Sequence, residues 1–211
     1  MRTGPEPLSV PVAMLAGPDS PFRPFVAAGA AAMPPTESEL ADAVHRATRA
    51  ALLDLFRDHP GHRFYYVTLV TSGEAYGPAL SAWSHQALAA ESERQGCAPL
   101  DIKWSYADSP FCCYGEEHLA PVRPLFAARG DLFDLPDDAA DAEFELRLRA
   151  METAVARLDA EGLFGTGRDR DAVVVTVEVP SEPGDDERAL RLNPPAALTD
   201  WRAEAAEPRE V

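Results

Sequence analysis

Apolar residues at Leu40, Val44, Ala47, Ala51 and Leu55 recur at spacings of three and four, which draws one apolar stripe along a helix. Its start is written in Thr36-Glu37-Ser38-Glu39, where a hydroxyl at the N-cap and a carboxylate three residues on satisfy free amides reciprocally. Its end is His59-Pro60-Gly61, because proline removes a donor and glycine permits the turn. Phe144, Leu148, Met151, Val155 and Leu158 repeat the same step, so a second long helix is predicted from about Asp137 to Ala160, broken by Gly162 to Gly167. Elsewhere the period drops to two. Arg63 to Thr71 is dense in aromatic and β-branched residues with both alternate sets largely apolar, which fits an interior strand. A second strand around Pro78 to Trp83 completes a hairpin, and Ser84 caps a helix to about Gln95. Leu100, Ile102, Trp104 and Tyr106 alternate with Asp101, Lys103 and Ser105, which predicts a strand with Trp104 facing the core and Lys103 facing outward. Asp108-Ser109-Pro110 ends it, and Glu116 opens a short helix. Ala172 to Val179 reads as a further strand, and Asp185 to Arg191 as one helical turn or more, closed by Asn193-Pro194-Pro195.

These elements give an α+β domain with a mainly antiparallel sheet packed against two long amphipathic helices, mixed strand order being the alternative. A chain of 211 residues suits one substantial core. The division is a Pro/Gly/Ala-rich N-terminal extension over residues 1–35, a single domain over 36–198 and a C-terminal tail over 199–211.

Charge narrows the partners. A formal net charge of -16 repels phosphates, so nucleic acid and anionic membranes are disfavoured and a basic protein is the expected partner. No apolar run approaches the roughly 20 residues a bilayer requires, and the amino terminus matches a secretory signal poorly, so a cytoplasmic location is expected. Cys97, Cys112 and Cys113 are odd in number and lack C-x-x-C spacing, which implies neither a disulfide framework nor a metal site; no cofactor is expected. Phosphate-cradling glycine loops, H-E-x-x-H and G-x-S-x-G are all missing from the sequence.

The segment Phe64-Tyr65-Tyr66-Val67-Thr68-Leu69, and the later run from Lys103-Trp104-Ser105 to Phe111, carry a resemblance. From about Thr36 to Leu198 the chain resembles the bacterial family known as domain of unknown function 4303, with its F-Y-x-x-x-L strand and W-S-x-x-E-W-like signature. The chain departs from that pattern at Asp108, where the family has Glu, at Ser109, where it has a second Trp, and at Ser81 to Gln86, which replace a polar N-T-E-E-like run. The resemblance implies no established activity, and genes that lie near those of small immunity-type proteins, which neutralise toxins by binding.

Two function classes follow. The first is a non-enzymatic binding protein that docks a basic partner through the acids between Asp131 and Glu145, with Asp131, Asp134, Asp138, Asp141 and Lys103 as contact residues. Trp104, Phe64 and Tyr66 are then structural. The second is a hydrolase or transferase with Cys113 or Cys112 as nucleophile and His118 or His85 as base. Glu116 and Glu117 are adjacent and diverge by about 100° on a helix, so they form no carboxylate dyad.

Overall fold

The computed structural model describes residues 33–180 and 184–205, and the compact unit begins at Pro34. All of the expected extension except residues 33–35 lies outside the described residues. Helix α1 spans Glu37–Asp58 and opens with the predicted reciprocal cap: Glu39 N–H donates to the Thr36 hydroxyl at 3.3 Å, and Thr36 N–H donates to the Glu39 carboxylate at 2.8 Å. Strands β1 (Phe64–Val70) and β2 (Ala79–Ser84) follow, and Ser84 caps α2 (His85–Gln95) as read from the sequence. Short helices α3 (Pro99–Ile102), α4 (Glu116–Leu119) and α5 (Arg123–Ala127) lead to the second long helix, α6 (Asp137–Ala160). β3 (Val174–Glu178), α7 (Asp185–Leu192) and α8 (Thr199–Glu204) complete the chain.

The fold is α+β, and the sheet is mixed. Its order is β2-β1-β3, with β1 and β2 antiparallel and β1 and β3 parallel. α1 and α6 pack on each other, and the ion pairs Arg149–Glu37, Arg157–Asp42 and His45–Glu161 rise together along both helices, so the two run parallel. Two helix-then-strand units, α1 with β1 and α6 with β3, therefore lie side by side in one direction. That arrangement is why the third strand joins in parallel: a connection passing through a 24-residue helix returns the chain to the same end of the sheet.

Alternation along the strands separates two faces. Val67, Leu69, Leu80, Ala82, Val175 and Val177 lie on one, and all join the same buried core as Leu52, Leu55, Leu148 and Leu158 of the long helices. Tyr66, Thr68, Ser81, Trp83, Thr176 and Glu178 lie on the other, which is far more polar.

The segment 100–106 corrects the sequence reading. It is a turn of helix followed by turns, not a strand. Pro99 presets the first helical position, and the Asp101 carboxylate accepts the Ala98 N–H at 3.1 Å, so local chemistry closes a helix where the period-two pattern suggested extension. The segment's carbonyls then take side-chain donors from the strands in place of a backbone ladder: Tyr65 OH donates to Lys103 at 2.6 Å, the Trp83 indole to Ser105 at 2.7 Å and Ser81 to Tyr106 at 2.9 Å. Leu100 is 56% exposed rather than inward, and Trp104 is half-buried. Of the expected tail over 199–211, Thr199–Glu204 form α8 with Trp201 buried, and residues 206–211 lie outside the described residues.

The deeply placed tryptophan is Trp83, with no exposed surface. Trp83→Ala should cost about 3–5 kcal/mol, since it removes a large buried ring and leaves the Ser105 carbonyl unpaired. Leu100→Ala should change stability by less than about 0.5 kcal/mol, with Trp104→Ala between the two. Urea melts in which Leu100→Ala matches Trp83→Ala would restore the strand reading.

Candidate functional site

The acidic face is built on a short 3-10 turn over Leu132–Asp134. Leu132 is buried beneath it, and the Asp131 carboxylate accepts the Phe133 N–H at 3.0 Å, which fixes the turn. Phe133, between Asp131 and Asp134, is consequently held 81% exposed, with Leu135 exposed beside it. Asp134, Asp137, Asp138 and Asp141 are all exposed, so the structure brings the predicted acids to one stretch of surface at the entrance to α6.

Glu143 leaves that group and turns inward. It accepts from Arg129 at 2.6 Å and from Arg147 at 2.8 Å. Burial pushes its carboxyl up, but these guanidinium contacts outweigh it and hold the group below its ordinary range. Arg147 has no exposed surface, and it also donates to the carbonyls of Glu74 at 3.2 Å and Gly130 at 2.7 Å while lying 5.5 Å from the Tyr76 ring centre. It ties α6 to the β1–β2 connection and to the chain just before Asp131. The exposed acids thus sit on a braced platform.

Lys103 is not on that face. Its ammonium pairs with Glu204 of α8 at 2.7 Å, and the same carboxylate accepts the Trp104 indole N–H at 3.0 Å. Lys103 holds the Glu204 carboxyl below its ordinary range. Trp104 stands edge-on to Tyr65 and Tyr66, with ring centres 5.5 and 5.4 Å away, and Phe64 packs against Phe56 and Phe111.

The thiols and histidines are separately engaged. Cys112 and Cys113 lie 3.7 Å apart at sulfur, and burial pushes the Cys112 thiol up to about 11, away from the thiolate a nucleophile needs. The Asp54 carboxylate accepts from His118 Nε2 at 2.7 Å, and His85 packs on the Tyr65 ring. Among the described residues no hydrogen bond joins either thiol to either histidine. Asp54, Glu117 and His118 present donor atoms within 4.8 Å of one another, with Arg57 also compensating Asp54.

A cleft that the sequence reading missed lies over the polar face of the sheet. Tyr66, Trp104, Thr176, Glu178, Asp185 and Trp201 line it, around a volume of about 170 Å³. The Tyr66 hydroxyl donates to Glu178, and burial of that carboxyl raises it to about 7, while burial together with the Glu178 charge raises the Tyr66 phenol well above its ordinary value. The signal was present in Val174-Val175-Thr176-Val177-Glu178, where alternation alone sets Thr176 and Glu178 on one face and apolar groups on the other.

The family model described as "Domain of unknown function (DUF4303)" matches residues 44–194, more than half of the chain. The chain belongs to this family. In this DUF4303 protein the matched span holds the acidic face, Trp104 and Glu178, and it ends before Trp201 and Glu204 of α8. No curated protein and no solved structure matches it. Among the described residues no helix is long and apolar enough to cross a membrane.

Glu178 sets a pH dependence. Its carboxyl binds a proton more tightly in the folded protein than at its ordinary value of 4.5, so its effect on stability is favourable at low pH and is lost as pH rises towards about 7. The loss amounts to about 3 kcal/mol. His62 and His85, which burial holds below their ordinary values, act oppositely over much of that window, so the comparison with Glu178→Gln isolates the carboxyl. The Gln variant should melt above the wild type near about pH 8, with the gap closing towards about pH 5. Parallel melting curves at both pH values would mean that Glu178 ionises normally.

Proposed function

We propose that this protein is a cytoplasmic, non-catalytic binding protein of the immunity type, which neutralises a basic protein by docking it on the face around Phe133. The observation that carries the reading is the 81% exposure of Phe133 on a turn braced by Asp131 and, through Gly130, by Arg147. A rigid exposed aromatic ring offers large contact area at small entropic cost, which is what an interface anchor requires. Around it the carboxylates of Asp131, Asp134, Asp138 and Asp141 provide a rim of one sign. Such a rim accelerates encounter with a cationic surface and excludes acidic competitors, while the ring supplies short-range affinity. The net charge of -16 extends the same attraction beyond the face itself.

The two contributions separate kinetically. The combined substitutions Asp134→Asn, Asp138→Asn and Asp141→Asn should slow association by about tenfold at low salt, with the difference shrinking as the Debye length falls to about 8 Å. Phe133→Ala should instead speed dissociation, at a cost of about 2 kcal/mol in affinity. Neither variant should lower the melting temperature appreciably, because the residues are exposed. The partner is sought by affinity capture from the native host with wild type and Phe133→Ala in parallel, followed by surface plasmon resonance on the captured protein. A basic protein lost on Phe133→Ala supports the reading. A specific partner that is acidic, or that binds both variants as it binds the wild type, overturns it.

A further inference from the structure

The cleft over the polar sheet face is independent of the acidic face, and its lining holds the acids Glu178, Asp185 and Asp186 and no basic residue. Asp185 is compensated: its Oδ1 accepts from the Arg188 guanidinium and from the Val179 N–H. Arg188 is buried, and its Nε–H donates to the Val177 carbonyl at 2.8 Å, which ties it to α7 and the edge of β3. Glu178, by contrast, accepts from the neutral Tyr66 hydroxyl and has the Arg188 charge nearby without a hydrogen bond from it. Lys103 does not make up the difference, because its ammonium is paired with Glu204 and the residue does not line the cleft.

A second observation points to an occupant. Thr176 lines the cleft on the same face of β3 as Glu178, two residues away, and it is 2% exposed. Its hydroxyl finds no hydrogen-bond partner among the described residues. A buried hydroxyl without a partner is costly, and a ligand donor placed between Thr176 and Glu178 would satisfy it. The remaining walls are aromatic. Tyr66, Trp104 and Trp201 provide rings, and indole faces attract cations most strongly of the aromatic side chains. About 170 Å³ of space corresponds to roughly six water molecules, enough for a short organic chain with a charged head.

We propose that the cleft between β3, α7 and α8 binds a small organic cation, with a primary ammonium or guanidinium head set against Glu178 and Thr176 and an aliphatic portion against Trp104 and Trp201. The head supplies both a positive charge, which the lining lacks, and a donor for the Thr176 hydroxyl. An inorganic cation would leave the aromatic walls unused, and an anion would face Glu178 and Asp185.

The test is a calorimetric titration of the full chain, followed in parallel by tryptophan fluorescence, with n-butylguanidinium and n-butylammonium as probes and n-butanol as the neutral control. At least one cation should bind saturably at one site per chain, while n-butanol should bind at least about tenfold more weakly. Glu178→Gln should weaken the cation by about tenfold, and Thr176→Val by about threefold, with circular dichroism confirming that both variants are folded. The variant carrying Asp134→Asn, Asp138→Asn and Asp141→Asn should bind it as the wild type does, which separates this site from general attraction to an acidic chain and from any failure of the docking face. Absence of saturation by both cations up to tens of millimolar, equal binding of n-butanol, or an affinity indifferent to Glu178→Gln and Thr176→Val while sensitive to the triple variant would each overturn the proposal.

Discussion

The Asn193 carboxamide donates to the Val175 carbonyl at 2.6 Å and accepts the Val175 N–H at 2.9 Å, completing the outer edge of β3 as a fourth strand would. Arg188 and Asp185 continue that edge by meeting the Val177 carbonyl and the Val179 N–H. At the opposite edge, Ser109 donates to the Ala82 carbonyl and the Tyr114 N–H to that of Leu80. A sheet of three strands has two outer strands and one inner strand, so its unpaired edges are a large share of its backbone, and each exposed edge invites pairing with another chain. Here the edges are closed by irregular segments and side chains, and the rest of the architecture follows from where those segments must run.

Two of those segments also cover the polar sheet face. The turns after α3 cross it with carbonyls aimed at Ser81 and Trp83, while α7 brings Asp185 and Arg188 beside Glu178. Arginine is well suited to this task. Arg147, Arg170 and Arg188 are each buried and each donates to backbone carbonyls as well as to a carboxylate, which a planar fork can do and a point-like ammonium does less well. Glu178, half-buried on β3, receives no such guanidinium bond among the described residues, and burial raises its carboxyl.

The long elements were legible because their periodicity is set by burial. The stripes of α1 and α6 and the apolar runs of β1 and β3 had one reading each, and the capping residues Thr36 and Ser84 fixed where the helices start. Segment 100–106 was misread because its apolar alternation arises from covering a sheet face obliquely, with Ile102 buried and Leu100 exposed, and no pattern of composition separates that from strand pairing. The parallel placement of β3 depends on α1 and α6 lying side by side, a contact between residues more than a hundred apart in sequence. The exposed acids around Phe133 were found by charge alone. Phe133 was not singled out, since an aromatic between two aspartates reads as core or surface with equal ease until Leu132 is seen taking the buried place.

The chain's single lysine links these levels. Lys103 lies just beyond α3, where it pairs with Glu204, and Glu204 also takes the indole N–H of Trp104. One carboxylate from α8 therefore clamps the segment that crosses the polar face, and Trp201 of the same helix forms a wall of the cleft. The family match ends at residue 194, so the clamp and that wall are added by the chain beyond the matched span, whereas Glu178, Thr176 and Tyr66 lie within it. The floor of the cleft and its outer wall thus come from different parts of the sequence. Charge at the floor selects for a cation, and the shape of the α8 wall selects among cations, which makes α8 the element in which ligand preference can change without disturbing the buried carboxyl or the edges of the sheet.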